Sequence, residues 1–151
     1  FSKAYRTTCN KMGIPILLFE GGKSLSSNKY IVKEGVDGVL RVLDHLNMLT
    51  PAFELPKKGT KPVFINSSRW IRAQKSGLLH VKIPCNKHVE KGEFLATITD
   101  PYGTMRFKVL APNEGYIINV NQAPIINQGD AIFHISTQSN TSQVATEEHQ
   151  E

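Results

Sequence analysis

Hydrophobic and polar positions follow two different periodicities along this chain. Up to about residue 49, apolar residues recur at helical spacing on either side of one uninterrupted apolar run. From residue 63 onward, short β-rich runs alternate with turn residues and predict strands over Val63–Ile65, Trp70–Ala73, Leu78–Ile83, Phe94–Thr99, Met105–Leu110, Tyr116–Val120 and Ala131–Ile135. The segment 50–62 between them is rich in proline, contains Lys57-Lys58 and is typical of a linker or an extended crossover. We therefore expect a helical part followed by an all-β part.

The first part predicts a helix, a strand and a second helix. The helices are expected over Ser2–Met12 and Lys29–Asn47, where apolar residues share one face. Between them, the run Ile14–Phe19 predicts a buried strand that ends at Glu20 and is followed by Gly21-Gly22. In open α/β sheets, ligand crevices lie at the carboxyl ends of strands, so Glu20 is a candidate functional acid. Three elements cannot bury both faces of a strand, which indicates the closing piece of a larger α/β domain.

The second part contains an internal repeat. Gly77 and Gly92 lie 15 residues apart in the first copy, and Gly115 and Gly129 lie 14 residues apart in the second. In both copies an apolar residue stands three positions before the second glycine, an acid follows that glycine, and an isoleucine stands six positions after it. Two hairpin-like units of this kind can pack face to face around one core. We predict a small barrel or sandwich.

Composition and charge narrow the classes of function. The chain carries a net charge of +5, and because the polar tail 137–151 holds three acids and no Lys or Arg, residues 1–136 carry +8. The lysines are scattered and no aromatic residues interleave with them, which favours a solvated surface over nucleic-acid binding. No apolar run approaches the roughly 20 residues of a membrane-spanning helix. Cys9 and Cys85 lie far apart in sequence and form no disulfide framework, which favours a reducing, cytoplasmic setting. The chain starts at Phe1 without an initiator methionine, so we expect it to be a piece of a longer protein.

Two stretches of the chain resemble one known family in the order and spacing of their motifs. The first stretch resembles the second half of the succinylglutamate desuccinylase/aspartoacylase family, in Gly13-Ile14-Pro15, Phe19-Glu20-Gly21-Gly22 and Gly35–Leu43. The second stretch resembles that family's C-terminal β domain, in Arg69–Ala73, Gly77–Leu79, Val89–Gly92, Asp100–Gly103 and Ala111–Gly115.

The resemblance covers about residues 1–136 and implies an α+β architecture. Residues 1–49 would be the closing helix–strand–helix of a zinc carboxypeptidase-like α/β catalytic domain, and 50–62 the linker. Residues 63–136 would form an all-β barrel-sandwich domain like those of biotinyl and lipoyl proteins. The tail, 137–151, is expected to be disordered because it offers almost no apolar residues.

The resemblance also implies an activity. Members of the family are zinc-dependent hydrolases that remove acyl groups from amino acids or similar amines, and Glu20 occupies the position of their acid/base glutamate. The expected partner is a small acylated amino acid or amide, without nucleic acid or membrane, and a homo-oligomer is left open. The family's zinc ligands, a His-x-x-Glu pair and a later His, lie upstream of the glutamate strand, as does the substrate-binding arginine. No histidine here is followed by an acid at that spacing, so this chain alone is expected to be inactive.

A cluster of metal-binding residue types offers a second interpretation. His80, Cys85 and His88, with or without His134, could form a zinc site, because Cys-x-x-His is a permitted ligand spacing. Lysines flank Cys85 and disfavour the approach of a cation. A polar connection between strands is therefore the favoured reading of these residues.

The likeness to biotinyl and lipoyl carriers offers a third interpretation, a non-enzymatic carrier-like or assembly module. Such carriers present a lysine at a tight hairpin, but the corresponding Asp100–Gly103 has none, and Lys108 lies inside a predicted strand. Trp70 with Arg69 and Arg72 could mark a contact patch at the edge of this domain. Arginines lying over an aromatic ring on an edge strand are the more ordinary account.

Overall fold

The fold is given by a computed structural model that describes residues 4–24, 26–50, 53 and 62–140, with the backbone alone at 139 and 140. The chain divides into two compact units, Phe1–Lys58 and Gly59–Glu151. Most of the predicted linker, including Lys57-Lys58, lies outside the described residues.

Two helices form in the described part of the first unit. α1 spans Tyr5–Lys11 and α2 spans Lys29–His45, which confirms both predicted helices to within a few residues at each end. Asn28 begins α2, because its side-chain oxygen accepts hydrogen bonds from the backbone N–H groups of residues 30 and 31 at 3.0 and 3.4 Å. These bonds pair N–H groups that the first turn of a helix leaves free. Neither described helix is long and apolar enough to cross a membrane.

The buried strand predicted over Ile14–Phe19 is wrong. Residues 14–20 have no regular secondary structure, and Leu17, Leu18 and Phe19 are 83%, 61% and 60% exposed. A strand forms by hydrogen bonding to a neighbouring strand, and the described residues of this unit contain no other strand. Without a sheet to pack on, the apolar side chains of the run remain largely in contact with solvent.

Eight strands form within residues 62–140 of the second unit. They build two antiparallel four-stranded sheets, with strand orders β1-β8-β6-β3 and β5-β4-β2-β7. Within residues 62–140 the sheets stay separate, so a sandwich forms and the predicted alternative, a closed barrel, does not. The strands are β1 Phe64–Arg72, β2 Gly77–Val81, β3 His88–Val89, β4 Phe94–Thr99, β5 Arg106–Leu110, β6 Gly115–Val120, β7 Ile125–Ile126 and β8 Ala131–Asn140.

One apolar core lies between the two sheets. Both sheets contribute aliphatic residues at inward-facing positions, and Phe133 is the largest of the fully buried side chains. Each such side chain stabilises the fold by roughly 1.5–3 kcal/mol relative to its exposed state. The largest fully buried apolar side chains are Phe133, Leu95, Ile98, Ile117, Ile126, Ile132, Ile135 and Val89.

The internal repeat is confirmed by matching hydrogen bonds. In the first copy, Ala111 exchanges two backbone hydrogen bonds with Gly92 and the acid after it, at 2.8 and 2.9 Å. In the second copy, Ala73 exchanges the same pair with Gly129 and the acid after it, both at 2.8 Å. The short strand β3 of the first copy pairs with β6 of the second, and β7 of the second pairs with β2 of the first. Each copy thus completes the sheet of the other.

The tail prediction is wrong for its first residues. β8 continues to Asn140 because β1 is long enough to pair with it from Arg72 back to Phe64. Backbone pairing of this kind does not require apolar side chains, which is why the polar composition of 137–140 was misleading. Residues 141–151 lie outside the described residues.

Candidate active site

Glu20 lies between two residues that contact α2. The ring of Phe19 lies against the backbone of Gly35. The approach is so close that a methyl group on Gly35 would be 2.9 Å from Cε1 of that ring. On the other side, a methyl group on Gly21 would be 2.7 Å from Cγ2 of Ile31. At either position a Cβ atom would require the neighbouring side chain, Ile31 or Phe19, to shift. The residues before and after Glu20 therefore both contact the same helix.

The carboxylate of Glu20 has no partner among the residues that the structure describes. Its side chain is exposed, and within the described residues it takes part in no hydrogen bond or ion pair. The chain then turns at Gly22, whose φ of +92° favours glycine. A carboxylate with a held backbone and no partner is able to accept a proton from a bound molecule and return it.

An open apolar groove adjoins this segment. Its volume is about 380 Å³, and its lining is almost entirely apolar. Phe19 contributes to it from the segment that carries Glu20, and one face of α2 supplies the rest. The lining residues are Phe19, Val32, Gly35, Val36, Val39 and Leu40.

A second carboxylate of this unit was missed by the reasoning from sequence. Asp37 on α2 is buried and forms an ion pair with Lys33, with Oδ2 and Nζ 2.5 Å apart. The spacing of four residues was the available signal, because such positions are neighbours on a helix. The ion pair occupies this acid, so Glu20 is the better candidate for proton transfer.

The histidine and cysteine cluster is not formed. His80 shares a hydrogen bond of 3.0 Å with a threonine, His88 meets a tyrosine ring edge-on at 4.8 Å, and His134 stacks on Trp70 at 4.4 Å. Cys85 is exposed and unpaired. Among the described residues no three His, Cys, Asp or Glu side chains come together as metal ligands, so the zinc site considered for these residues is wrong.

The surroundings of Trp70 also differ from the expectation. Its ring lies parallel to that of His134, with an angle of 8° between the planes, and in the described part of the chain no arginine lies over it. Arg72 instead donates a hydrogen bond of 2.8 Å to the carbonyl oxygen of Gly129. This bond links the end of β1 to the second glycine turn, which gives the arginine a structural role.

The hairpin between β4 and β5 is closed by Asp100. Its carboxylate accepts hydrogen bonds from the hydroxyl of Thr104 at 2.6 Å and from the backbone N–H of Met105 at 2.8 Å. Because these bonds favour the ionised carboxylate, the pKa of Asp100 lies below its ordinary value. Tyr102 stands at the tip and is 89% exposed, and Lys108 lies within β5 as predicted. The hairpin therefore presents an aromatic side chain and no lysine.

The fold is that of the succinylglutamate desuccinylase/aspartoacylase family proteins, as the resemblance in sequence predicted. The likeness extends over 73–89% of this chain in three solved structures. No protein-family model and no curated protein sequence matches the chain. At identities of 19–21%, the likeness concerns the fold.

Three solved structures illustrate the likeness. The apo form of the ectoine utilization protein EutE (DoeB) from Ruegeria pomeroyi has a TM-score of 0.74 at 21% identity, and the match covers 89% of this chain and 43% of that one. A succinylglutamate desuccinylase from a Silicibacter species has a TM-score of 0.71 at 19% identity, covering 87% and 41%. A succinylglutamate desuccinylase/aspartoacylase from Rhodobacter sphaeroides has a TM-score of 0.62 at 20% identity, covering 73% and 36%. The chain spans less than half the length of each of them.

Proposed function

We propose that this chain is the C-terminal part of a zinc-dependent deacylase that hydrolyses the amide bond of an N-acyl amino acid or a similar amide. Glu20 is the proposed general acid/base. The observation that carries the proposal is the free carboxylate of Glu20, flanked by two residues that contact α2. The fold, shared over 89% of the chain with an ectoine utilization protein and over 87% with a succinylglutamate desuccinylase, supports the same reaction class.

The proposed role of Glu20 is to move one proton twice. As the oxygen of water bonds to the acyl carbon, a proton passes from that water to the carboxylate. As the C–N bond breaks, the same proton passes from Glu20 to the leaving nitrogen, which departs as an amine while the acyl group becomes a carboxylic acid. A positioned acid/base of this kind contributes about 10²–10⁴ in rate.

Zinc is the proposed metal, but the described residues do not fit it. They bring together no ligand set of three His, Cys, Asp or Glu side chains. The zinc ligands and the substrate-binding arginine are accordingly proposed to lie outside this chain. The two proton transfers proposed for Glu20 are the same wherever the metal is bound. The proposed setting is the cytoplasm, because both cysteines are free, as is usual in a reducing compartment.

The reaction is tested with the full-length protein that contains this chain. Purified protein is incubated with a panel of N-acyl amino acids and N-acylated amines, and the released amine is quantified by fluorescent derivatisation. We expect release from at least one substrate, loss of release after dialysis against a chelator, and recovery on addition of zinc. The 151-residue chain alone serves as a control and is expected to be inactive. Absence of release from every substrate would contradict the proposal.

The alternative is a non-enzymatic carrier-like or assembly module. The duplicated β unit, in which each copy completes the sheet of the other, is the observation that favours it. Against it, the hairpin between β4 and β5 presents Tyr102 rather than a lysine. Intact mass spectrometry of protein expressed with biotin and lipoate distinguishes the two: an unmodified mass is expected of the deacylase, and a cofactor adduct of the carrier.

A further inference from the structure

We propose that the free edge of β5 binds an extended acidic segment of another protein, which pairs with it as an added strand. β5 pairs with β4 on one side, and in the described part of the unit no strand lies on its other side. A strand at the edge of a sheet presents backbone N–H and C=O groups without partners, and an extended peptide can add to it. The exposed residues of β5 are Arg106, Lys108 and Leu110.

The backbone groups of Arg106 and Lys108 point to the free edge. The N–H of Asp100 donates to the carbonyl oxygen of Met105 at 3.4 Å, which makes these two opposite residues a hydrogen-bonded pair. Hydrogen-bonded and non-hydrogen-bonded pairs alternate along an antiparallel ladder. In the register of this ladder, Phe107 belongs to the first kind, and Arg106 and Lys108 belong to the second. Their N–H and C=O groups are therefore directed away from β4 and towards an added strand.

The side chains of the same two residues make the edge basic. Alternate residues of a strand face opposite sides of a sheet, and Phe107 packs against the core, so Arg106 and Lys108 share the outer face. Within residues 62–140 neither side chain has a hydrogen bond or an ion pair. The carboxylate of Asp100, in the hairpin that leads to β5, is already bonded within that hairpin. An acidic segment would supply the anionic partners that both cations lack.

The other edge strands among the described residues are protected by their shape. β3 and β7 have two residues each, and β1 has register shifts at three places, so none of them offers a regular edge. β5 pairs with β4 without a shift from Arg106 to Val109, and its protection is its charge. A second copy of β5, paired antiparallel about Phe107 or Lys108, would place cations opposite cations, which is unfavourable. The edge thus disfavours a second copy and favours an acidic strand.

The two sets of groups define the chemistry of the segment. The backbone donors and acceptors call for a polypeptide rather than a nucleic acid or a lipid, and the cations call for carboxylates opposite Arg106 and Lys108. The residue between the two acids faces the inner side of the sheet, beside Phe107, and should be apolar. The proposed partner therefore carries alternating acidic and apolar residues, such as Glu-Val-Glu.

The test measures the binding of a labelled synthetic peptide to the full-length protein by fluorescence anisotropy. The probe has about seven residues that alternate between Glu and Val, the length of an ordinary strand. One control peptide has Lys in place of each Glu. A second keeps every side chain but has N-methylated Glu residues, which lack the backbone N–H that strand pairing needs. We expect the first peptide alone to bind, with an affinity that falls as the salt concentration rises.

Charge reversals locate the site. Arg106→Glu combined with Lys108→Glu should weaken binding at least about tenfold, because an exposed ion pair contributes up to about fivefold and reversal replaces each attraction by a repulsion. Lys75→Glu combined with Lys91→Glu makes the same change in net charge at two exposed positions outside the strands. That control should keep the affinity within about twofold. Circular dichroism verifies that both double variants are folded.

Amide hydrogen exchange shows how the peptide binds. On binding, the N–H groups of Arg106 and Lys108 should exchange more slowly, whereas that of Phe107, which is directed at β4, should change little. Failure of the acidic peptide to bind, equal binding of the N-methylated peptide, equal loss in the control double variant, or unchanged exchange at Arg106 and Lys108 would each overturn the proposal. If replacing the three glutamates of residues 141–151 with Gln raised the peptide's affinity more than about fivefold, the chain's own tail would be the occupant and the separate partner would be ruled out.

Discussion

Replacing Gly115 with alanine should destabilise the β unit more than the same change at Gly92 or Gly129. A methyl group there would lie 2.3 Å from the backbone oxygen of Ser136 and 2.7 Å from its Oγ. The φ of Gly115, +153°, falls in a region that is essentially confined to glycine. Gly77 repeats this geometry in the first copy, with φ +154° and a methyl group 2.3 Å from the backbone oxygen of Thr99. The internal repeat thus predicts two equally intolerant positions.

The magnitude follows from two separate contributions. The unfavourable φ costs about 1–3 kcal/mol. Relief of the overlap also separates β6 from β8 and weakens the hydrogen bond of 2.8 Å from the N–H of Tyr116 to Oγ of Ser136, and a buried group left without its partner costs about 1–3 kcal/mol. The free energy of unfolding should therefore fall by about 2–6 kcal/mol. Gly129 and Gly92 have φ values of +93° and +85° with nothing within 4 Å, so their alanine variants should lose only about 1–2 kcal/mol.

Urea unfolding of the 151-residue chain measures these differences. Trp70 is the single tryptophan, lies in β1 and stacks on His134, so its fluorescence reports the unfolding of the β unit. We expect Gly115→Ala and Gly77→Ala to agree within about 1 kcal/mol and both to exceed the losses in the two control turns. If Gly115→Ala lost no more stability than Gly129→Ala, the close approach of β6 to β8 would be refuted.

Three further predictions concern the hairpin, the helix cap and the core. Because the pKa of Asp100 is below its ordinary value of 3.8, the ionised carboxylate stabilises the fold above that pH, and this contribution is lost as the pH falls through the lower pKa of the folded state. Wild type and Asp100→Asn should accordingly differ in stability at neutral pH and converge in acid unfolding followed by fluorescence; a constant difference would contradict this. Asn28→Ala should cost α2 about 1 kcal/mol, seen as reduced helical circular dichroism, and Asn28→Asp should restore it. Leu95→Ala, in the core, should cost about 2–5 kcal/mol in urea. Leu110→Ala, at a 48% exposed site, should cost clearly less, and equal losses would argue against the described core.

The local sequence pattern was sufficient to predict the secondary-structure elements that depend on residues close in sequence. Both helices and most of the strands followed from periodicity, and the matched glycine turns followed from the repeat. β3 and β7 were not predicted, because strands of two residues carry no periodicity of their own and form only by pairing with the opposite copy. The extension of β8 to Asn140 likewise depends on the length of β1.

The candidate site shows the same division. Glu20 was found from the apolar run before it, the glycines after it and the family resemblance, whereas the strand inferred from that run requires a sheet that the described residues do not supply. The contact between Phe19 and Gly35 joins residues 16 positions apart and depends on the orientation of an aromatic ring, which no sequence pattern encodes. From the sequence alone, Gly35 could be recognised only as a residue that lowers the helix propensity of α2.

Whether Glu20 is the acid/base is decided by the turnover of Glu20→Gln in the full-length protein. The amide keeps the size of the side chain and removes its ability to take a proton, so kcat should fall by about 10²–10⁴ relative to wild type. Glu34→Gln, the same change at a half-buried position on α2, should leave kcat within about twofold of wild type. A Glu20→Gln protein that hydrolyses its substrate at the wild-type rate would contradict the assignment of Glu20 as the acid/base.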